Sequence, residues 1–245
     1  MILAVLLARM SSERLPGKVL MDLAGKPSLV RQAERLLAVP SVDELWVMTS
    51  TMLEDNAIEA CCEGHGLVCK RGELEDVLNR VHRHASQLHP DHIIRSTADC
   101  PVIDRAVVEE TVQRHLREGN DCTGNAYERT YPDGLDIEIM TYACFDKVWR
   151  EAETSEDRAN ITSYIYANPS RFRTGAVLHH EDLSALRWTV DYLEDYEKIS
   201  AVFDYFFPEM PDFGMDDVLD FFREHGQIDR KNHMYRDHSR GSGIS

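Results

Sequence analysis

The segment "ARMSSERLPGK", residues 8 to 18, places three cations, Arg9, Arg14 and Lys18, directly after the apolar run Ile2 to Leu7. An arginine holds phosphate oxygens in a planar fork, and a lysine adds a compact charge. Gly17, Ser11 and Ser12 let the backbone approach an anion closely, and Pro16 stiffens the turn. This chemistry suits a polyphosphate. A solvated basic loop would carry similar residues, so the segment needs support from elsewhere. It matches neither a Walker loop nor GxGxxG, which weakens the readings of P-loop hydrolase and dinucleotide oxidoreductase.

Support comes from two acids. Asp99 follows the strand-like "HIIRSTA" and precedes Cys100-Pro101, and Asp191 follows "LRWTV". Mg²⁺ favours one or two carboxylates completed by phosphate oxygens and water, so two aspartates at strand ends facing one crevice form a candidate metal site. Taken singly, each could be a helix N-cap. A third group, Asp133, Asp136 and Glu138 in "YPDGLDIE", could bind hydroxyl or amino groups of a ligand. Alternation puts Asp136 and Glu138 on one strand face. Acids repel acids, so Arg129 or Arg187 would have to meet any carboxylate on that ligand. Glu156, Asp157, Arg158 and Asn160 are placed to rim the same pocket. The histidines His82, His84, His89 and His92 lack the HExxH arrangement and read as a solvated helix.

Elements able to position these groups alternate along the chain. "ILAVLLA", "ELWVMTS", "LVCKR" and "HIIRSTA" read as strands, separated by the helical stretches "SLVRQAERLLAV", "EDNAIEACCEGH" and "LEDVLNRVHRHASQL". That order predicts βαβ units around a parallel sheet, with ligands beyond the carboxyl ends of the strands. Asp104 should cap an amphipathic helix that Gly119 ends. Pro132-Asp133-Gly134 marks a turn leading into an antiparallel hairpin at about 127–140, and "ALRWTVD" reads as a short strand. Two amphipathic helices follow. The expected organisation is one α/β domain, 1–228, with a mixed, mainly parallel sheet, and a polar tail, 229–245.

The chain has 245 residues, 43% hydrophobic and 29% charged, with a formal net charge of −16. Such acidity opposes nonspecific nucleic-acid binding, so the basic loop is a local exception. No run reaches the roughly 18 apolar residues of a membrane span. "MILAVLLARM" lacks a basic leader and a cleavage site, and six cysteines without CxxC spacing fit reduced thiols. A cytoplasmic protein is expected.

"ARMSSERLPGK" resembles the A-R-x-x-S-x-R-L-P-x-K signature of the cytidylyltransferases that activate acidic sugars, including the acylneuraminate, ketodeoxyoctulosonate and SpsF-like spore-coat enzymes. "RGELEDVLNR", "ADCPVID", "YPDGLDIE" and "LRWTVD" follow in the family's order. The resemblance spans nearly the whole chain and is greatest to the SpsF-like branch. It implies a Rossmann-like, GT-A-like nucleotidyltransferase fold, transfer of CMP from CTP to an acidic acceptor for surface glycan synthesis, Mg²⁺ on Asp99 and Asp191, and a homodimer. Ala8, Arg9, Ser12, Arg14, Lys18, Arg71, Asp76, Arg80 and Thr97 would contact the nucleotide, with Arg14 and Lys18 acting on the leaving pyrophosphate. Arg129, Tyr131, Asp133, Asp136, Glu138 and Arg187 would contact the acceptor. Ala98 stands where many relatives have glycine, so a positive φ there would strain the turn before Asp99. Tyr192-Leu193 replaces the usual Thr-Pro. A GT-A glycosyltransferase using a sugar nucleotide and a noncatalytic nucleotide-binding module are the rival readings.

Overall fold

The computed structural model describes residues 1–229. Strand β1 (Ile2–Leu7) leads through the basic loop to a two-stranded antiparallel ribbon, β2 (Asp22–Leu23) and β3 (Lys26–Pro27). Then come α1 (Ser28–Leu37), β4 (Glu44–Ser50), α2 (Asn56–Gly64), β5 (Val68–Gly72), α3 (Val77–Leu88) and β6 (His92–Thr97). The chain continues with α4 (Arg105–Glu118), β7 (Cys122–Gly124), β8 (Glu138–Thr141), α5 (Tyr142–Glu151), α6 (Ser155–Ala159), α7 (Ser163–Ala167) and β9 (Thr174–Ala176), followed by α8 (Leu193–Phe206), α9 (Met215–Glu224) and the one-turn α10 (Gly226–Asp229).

The main sheet has the order β5-β4-β1-β6-β8-β7-β9. All pairs are parallel except those of β8, which runs antiparallel to both β6 and β7. Because strand side chains alternate, β1 serves two cores. Ala4 and Leu6 pack with Leu29 and Ala33 of α1, Ile58 of α2 and Val108 of α4. Leu3 and Val5 pack with Leu78 and Val81 of α3 and Phe145 of α5 on the other face. A third core joins α8 and α9 to Leu23, Leu135, Trp188 and Val190. Burial on both faces explains why these strands read as continuous apolar runs.

The βαβ half follows the sequence pattern. Asp104 accepts a hydrogen bond from Val107 N at 2.9 Å, and Gly119 ends α4 in the left-handed region at φ 62°. Two expectations change. Within 127–140 only β8 is a strand, and it is an interior strand of the main sheet; Tyr127 to Ile137 is loop. "ALRWTVD" forms no strand, only one bridge residue, Arg187, opposite Asp133. Short apolar runs carry the same pattern whether extended backbone finds a ladder partner or not. Of the expected polar tail, residues 230–245 lie outside the described residues.

That bridge fixes the rear of the site. Asp133 O accepts from Trp188 N at 2.6 Å and Thr189 N at 3.0 Å, and Asp133 N donates to Leu186 O at 2.9 Å. Gly134, at φ 113°, lies so close that a Cβ would stand 2.5 Å from Thr189 N. No side chain fits there, and the dihedral disfavours one. Gly134→Ala is therefore expected to lower stability by roughly 2–4 kcal/mol, a core-strain magnitude, measured by urea unfolding; an unchanged midpoint would refute the tight packing.

Candidate active site

At the carboxyl ends of β1 and β6 a cleft of about 500 Å³ opens, lined by the basic loop, the start of α3, the end of α6 and the two aspartates. Its position beyond the strand ends is the one expected for a ligand crevice in a mainly parallel sheet.

The loop is anchored at both ends. Ala8 N donates to Met48 O at 3.0 Å, and Met10 O accepts from Ser12 N and Gly17 N at 2.9 and 3.0 Å. Gly17 takes φ 74°, the left-handed turn that sends Lys18 inward. Met10 N donates to Asp55 Oδ1 at 2.7 Å, and Asp55 Oδ2 accepts from Ser50 N at 3.0 Å and from the Ser50 hydroxyl. Burial raises the Asp55 carboxyl, but these donors outweigh it and hold it below the usual carboxylate range. Asp55 ties the loop to the end of β4. Nothing in the sequence marked it, because an aspartate opening a helix reads as a cap.

Asp99 and Asp191 converge. Val190 N donates to Asp99 O at 2.8 Å and the Thr189 hydroxyl to the same oxygen at 3.2 Å, so backbone contact brings residues 92 apart in sequence side by side. Both carboxylates then meet one ammonium: Lys18 Nζ lies 3.2 Å from Asp99 Oδ2, 2.8 Å from Asp191 Oδ1 and 2.7 Å from Val190 O. Arg14 Nη2 lies 2.8 Å from Asp191 Oδ1, with its guanidinium over the Tyr192 ring. Burial lowers the Lys18 ammonium's proton affinity, but the two aspartates outweigh it and raise it above its ordinary value. Burial likewise raises Asp99, while Lys18 and the Thr97 hydroxyl bring it below the usual range.

Asp191 is not a helix cap. Asp195, in the first turn of α8, does that work, with its Oδ2 accepting from Asp191 N at 2.9 Å and Tyr192 N at 3.0 Å. This leaves the Asp191 side chain facing the cleft. Ala98 adopts no positive φ, so the strain expected from its Cβ is absent. Two carboxylates on one point, with room for phosphate oxygens and water, fit the donor set Mg²⁺ takes. Among the described residues no cluster of three or more His, Cys, Asp or Glu side chains offers an all-protein metal cage.

Ala8, Arg9, Ser12, Arg14, Lys18, Arg80, Thr97, Asp99 and Asp191 all line the cleft. Arg71 does not: it donates to Ser50 O, Asn56, Glu59 and Met52 O. Asp76 is spent capping α3 through Asn79 N at 2.8 Å and pairing with Arg158 at 2.7 Å, which pins α6 across the cleft. Arg80 pairs with neither. It is 4% exposed, with Nε and Nη1 lacking any partner among the described residues.

The acceptor candidates divide differently. Tyr131 packs in the third core, its hydroxyl 3.5 Å from Glu110 and its ring edge-on to His179, and does not line the cleft. Arg187 is buried among Asp133, Asp191 and Asp195 as an internal counter-ion. Arg129 pairs with Asp133 and Asp136. Asp136 sits in the loop, not on a strand face with Glu138. Burial, only partly offset by Arg129, pushes its carboxyl up to about 6. Glu138 is buried, accepting from Arg95, Thr162 and Tyr166. Polar residues in this segment satisfy one another, which no single-strand pattern can foresee.

A family model described as "Cytidylyltransferase" matches residues 3–224. The chain belongs to the cytidylyltransferase family. This cytidylyltransferase is 32% identical over 211 residues to the spore coat polysaccharide biosynthesis protein SpsF of Bacillus subtilis (82% of this chain, 86% of the relative). It is 34% identical over 109 residues to the 3-deoxy-manno-octulosonate cytidylyltransferase of Escherichia coli, 44% of each chain. A solved cytidylyltransferase from Leptospira borgpetersenii superposes with a TM-score of 0.88 at 28% identity, covering 93% of this chain and 95% of that one. The Rossmann-like nucleotidyltransferase fold expected from the sequence is thus present. No helix among the described residues is long and apolar enough to cross a membrane.

If Asp55 sets the loop, Asp55→Asn should cost about 1–3 kcal/mol of stability, the size of a buried polar group losing its partners, and weaken CTP binding severalfold by calorimetry. Wild-type affinity in a folded variant would refute that anchoring role.

Proposed function

We propose that the protein transfers CMP from CTP to a hydroxyl of an acidic sugar or related acceptor, releasing pyrophosphate, in the synthesis of surface polysaccharide. The observation that carries this reading is the convergence on one point of one cleft of the cationic loop and two aspartates distant in sequence, Asp99 after β6 and Asp191 before α8. The names of the Bacillus and Escherichia relatives favour polysaccharide assembly and a sugar-acid acceptor.

In this reading the acceptor oxygen attacks the α-phosphorus in line, and the bond from that phosphorus to the β-phosphate bridging oxygen breaks. Asp99 and Asp191 would hold Mg²⁺, which when bound balances negative charge on the phosphates. Arg14 and Lys18 meet the β- and γ-phosphates and stabilise the leaving pyrophosphate. The pathway needs no protein nucleophile. Arg80, buried and short of acceptors, donates to the carbonyl of the base at the α3 end of the cleft. Thr97 lies beside the nucleotide on the floor.

The test combines the full chain with each of four nucleoside triphosphates, Mg²⁺ and a panel of sugar acids, with pyrophosphate as readout. Release should be fastest with CTP and should require both Mg²⁺ and an acid acceptor; none with any combination would sink the reading. Asp99→Asn should lower turnover by about 10²-fold or more, the scale of losing a transition-state charge contact. Unchanged turnover with unchanged Mg²⁺ dependence would remove Asp99 from the metal site. Arg80→Ala should raise KM for CTP about tenfold, matching a charge-assisted hydrogen bond of roughly 1.5 kcal/mol, with kcat nearly kept; an unaltered KM would assign Arg80 to structure.

A further inference from the structure

The two acids of the cleft carry a cation between them. Lys18, with a side chain only 10% exposed, bridges Asp99 Oδ2 and Asp191 Oδ1 and is fixed by Val190 O. Arg14 takes the same Asp191 oxygen at 2.8 Å, and Arg187 takes the other, Oδ2, at 2.7 Å. Both Asp191 oxygens are thus engaged by cations, and the formal charge of Asp99 and Asp191 is cancelled by Lys18 and Arg14. A divalent ion approaching the pair finds its place filled and no net negative charge to attract it.

We infer that Lys18, assisted by Arg14, locks the divalent-ion site of the ligand-free protein, and that the triphosphate is the key. This inference rests on the assignment of Asp99 and Asp191 to the metal under the proposed function. A triphosphate entering the loop offers Lys18 and Arg14 several oxygens of greater negative charge than the two aspartates. Once they turn to it, Asp99 and Asp191 are released toward the ion, and the phosphates supply the further oxygen ligands that two carboxylates lack. Arg187 stays where it is, because Asp133 and Asp195 hold it from the other side. Ion and nucleotide affinities are therefore coupled, each raising the other by the same factor. The lock keeps the buried Asp191 and the half-buried Asp99 paired between turnovers, which avoids the penalty of unpaired buried charge.

The lock makes an unusual demand: removing a cationic residue of the binding loop should strengthen ion binding. Mn²⁺ serves as the probe, followed by electron paramagnetic resonance of the free ion without any nucleotide. The wild-type chain should bind it weakly. Lys18→Met should bind one Mn²⁺ at least about tenfold more tightly, within the usual range of coupling factors, and Lys18→Arg should remain like wild type. In Lys18→Met/Asp99→Asn the gain should vanish. Arg14→Met, altering a side chain that is 46% exposed, should give a smaller gain and covers the case in which Lys18→Met does not fold.

Tight Mn²⁺ binding by the wild type alone, no gain in Lys18→Met or Arg14→Met, or a gain that survives Asp99→Asn would each overturn the lock. Pyrophosphate release by the wild type, measured with and without Mg²⁺, separates the two levels. Mg²⁺-dependent release with no gain in the variants overturns only the lock, whereas release without Mg²⁺ overturns the metal assignment beneath it.

Discussion

The contact on which the site depends is the backbone hydrogen bond from Val190 N to Asp99 O, reinforced by the Thr189 hydroxyl. It sets the segment after the Asp133 bridge against the end of β6, and only then can one ammonium reach both Asp99 and Asp191. Its geometry rests in turn on Gly134, where the absence of a Cβ lets two stretches of backbone lie in contact. A feature with no charge and no side chain thereby decides where the charged chemistry is done.

Electrostatics then follows an alternating arrangement. Arg14 and Lys18 face the acids from the loop, Arg187 faces Asp191, Asp133 and Asp195 from behind, and Arg129 faces Asp133 and Asp136 at the rim. Each of these carboxylates meets at least one guanidinium or ammonium, which favours keeping such groups charged away from water. In an anionic chain the local cation supply is concentrated where the acids are. Arg80 stands apart, buried in the cleft wall with two donors unpartnered among the described residues, and this imbalance makes it the sharpest pointer to a ligand contact.

Several site residues were legible because their chemistry is local. The cations of the loop lie within ten residues, and the aspartate at the end of β6 follows from the strand pattern before Pro101. Arg71, Asp76, Tyr131 and Arg187 have the right chemical types for ligand contacts but bond partners within the protein. The supports that escaped notice, Asp55 and Asp195, bond backbone amides of segments that the sequence presents as unrelated or merely adjacent.

By itself the sequence determined the mainly parallel α/β order, the caps of α4, the turn at Pro132-Asp133-Gly134 and the cationic character of the first loop. These depend on periodicity and on the conformational limits of single residues, which act within a few positions of the chain. Only the tertiary structure decided that β8 runs antiparallel inside the sheet, that "ALRWTVD" is a bridged loop, and which arginines still face the cleft. Those outcomes turn on which donors meet which acceptors once distant segments pack, and a residue's type states its capacity to bond without stating who will take it up.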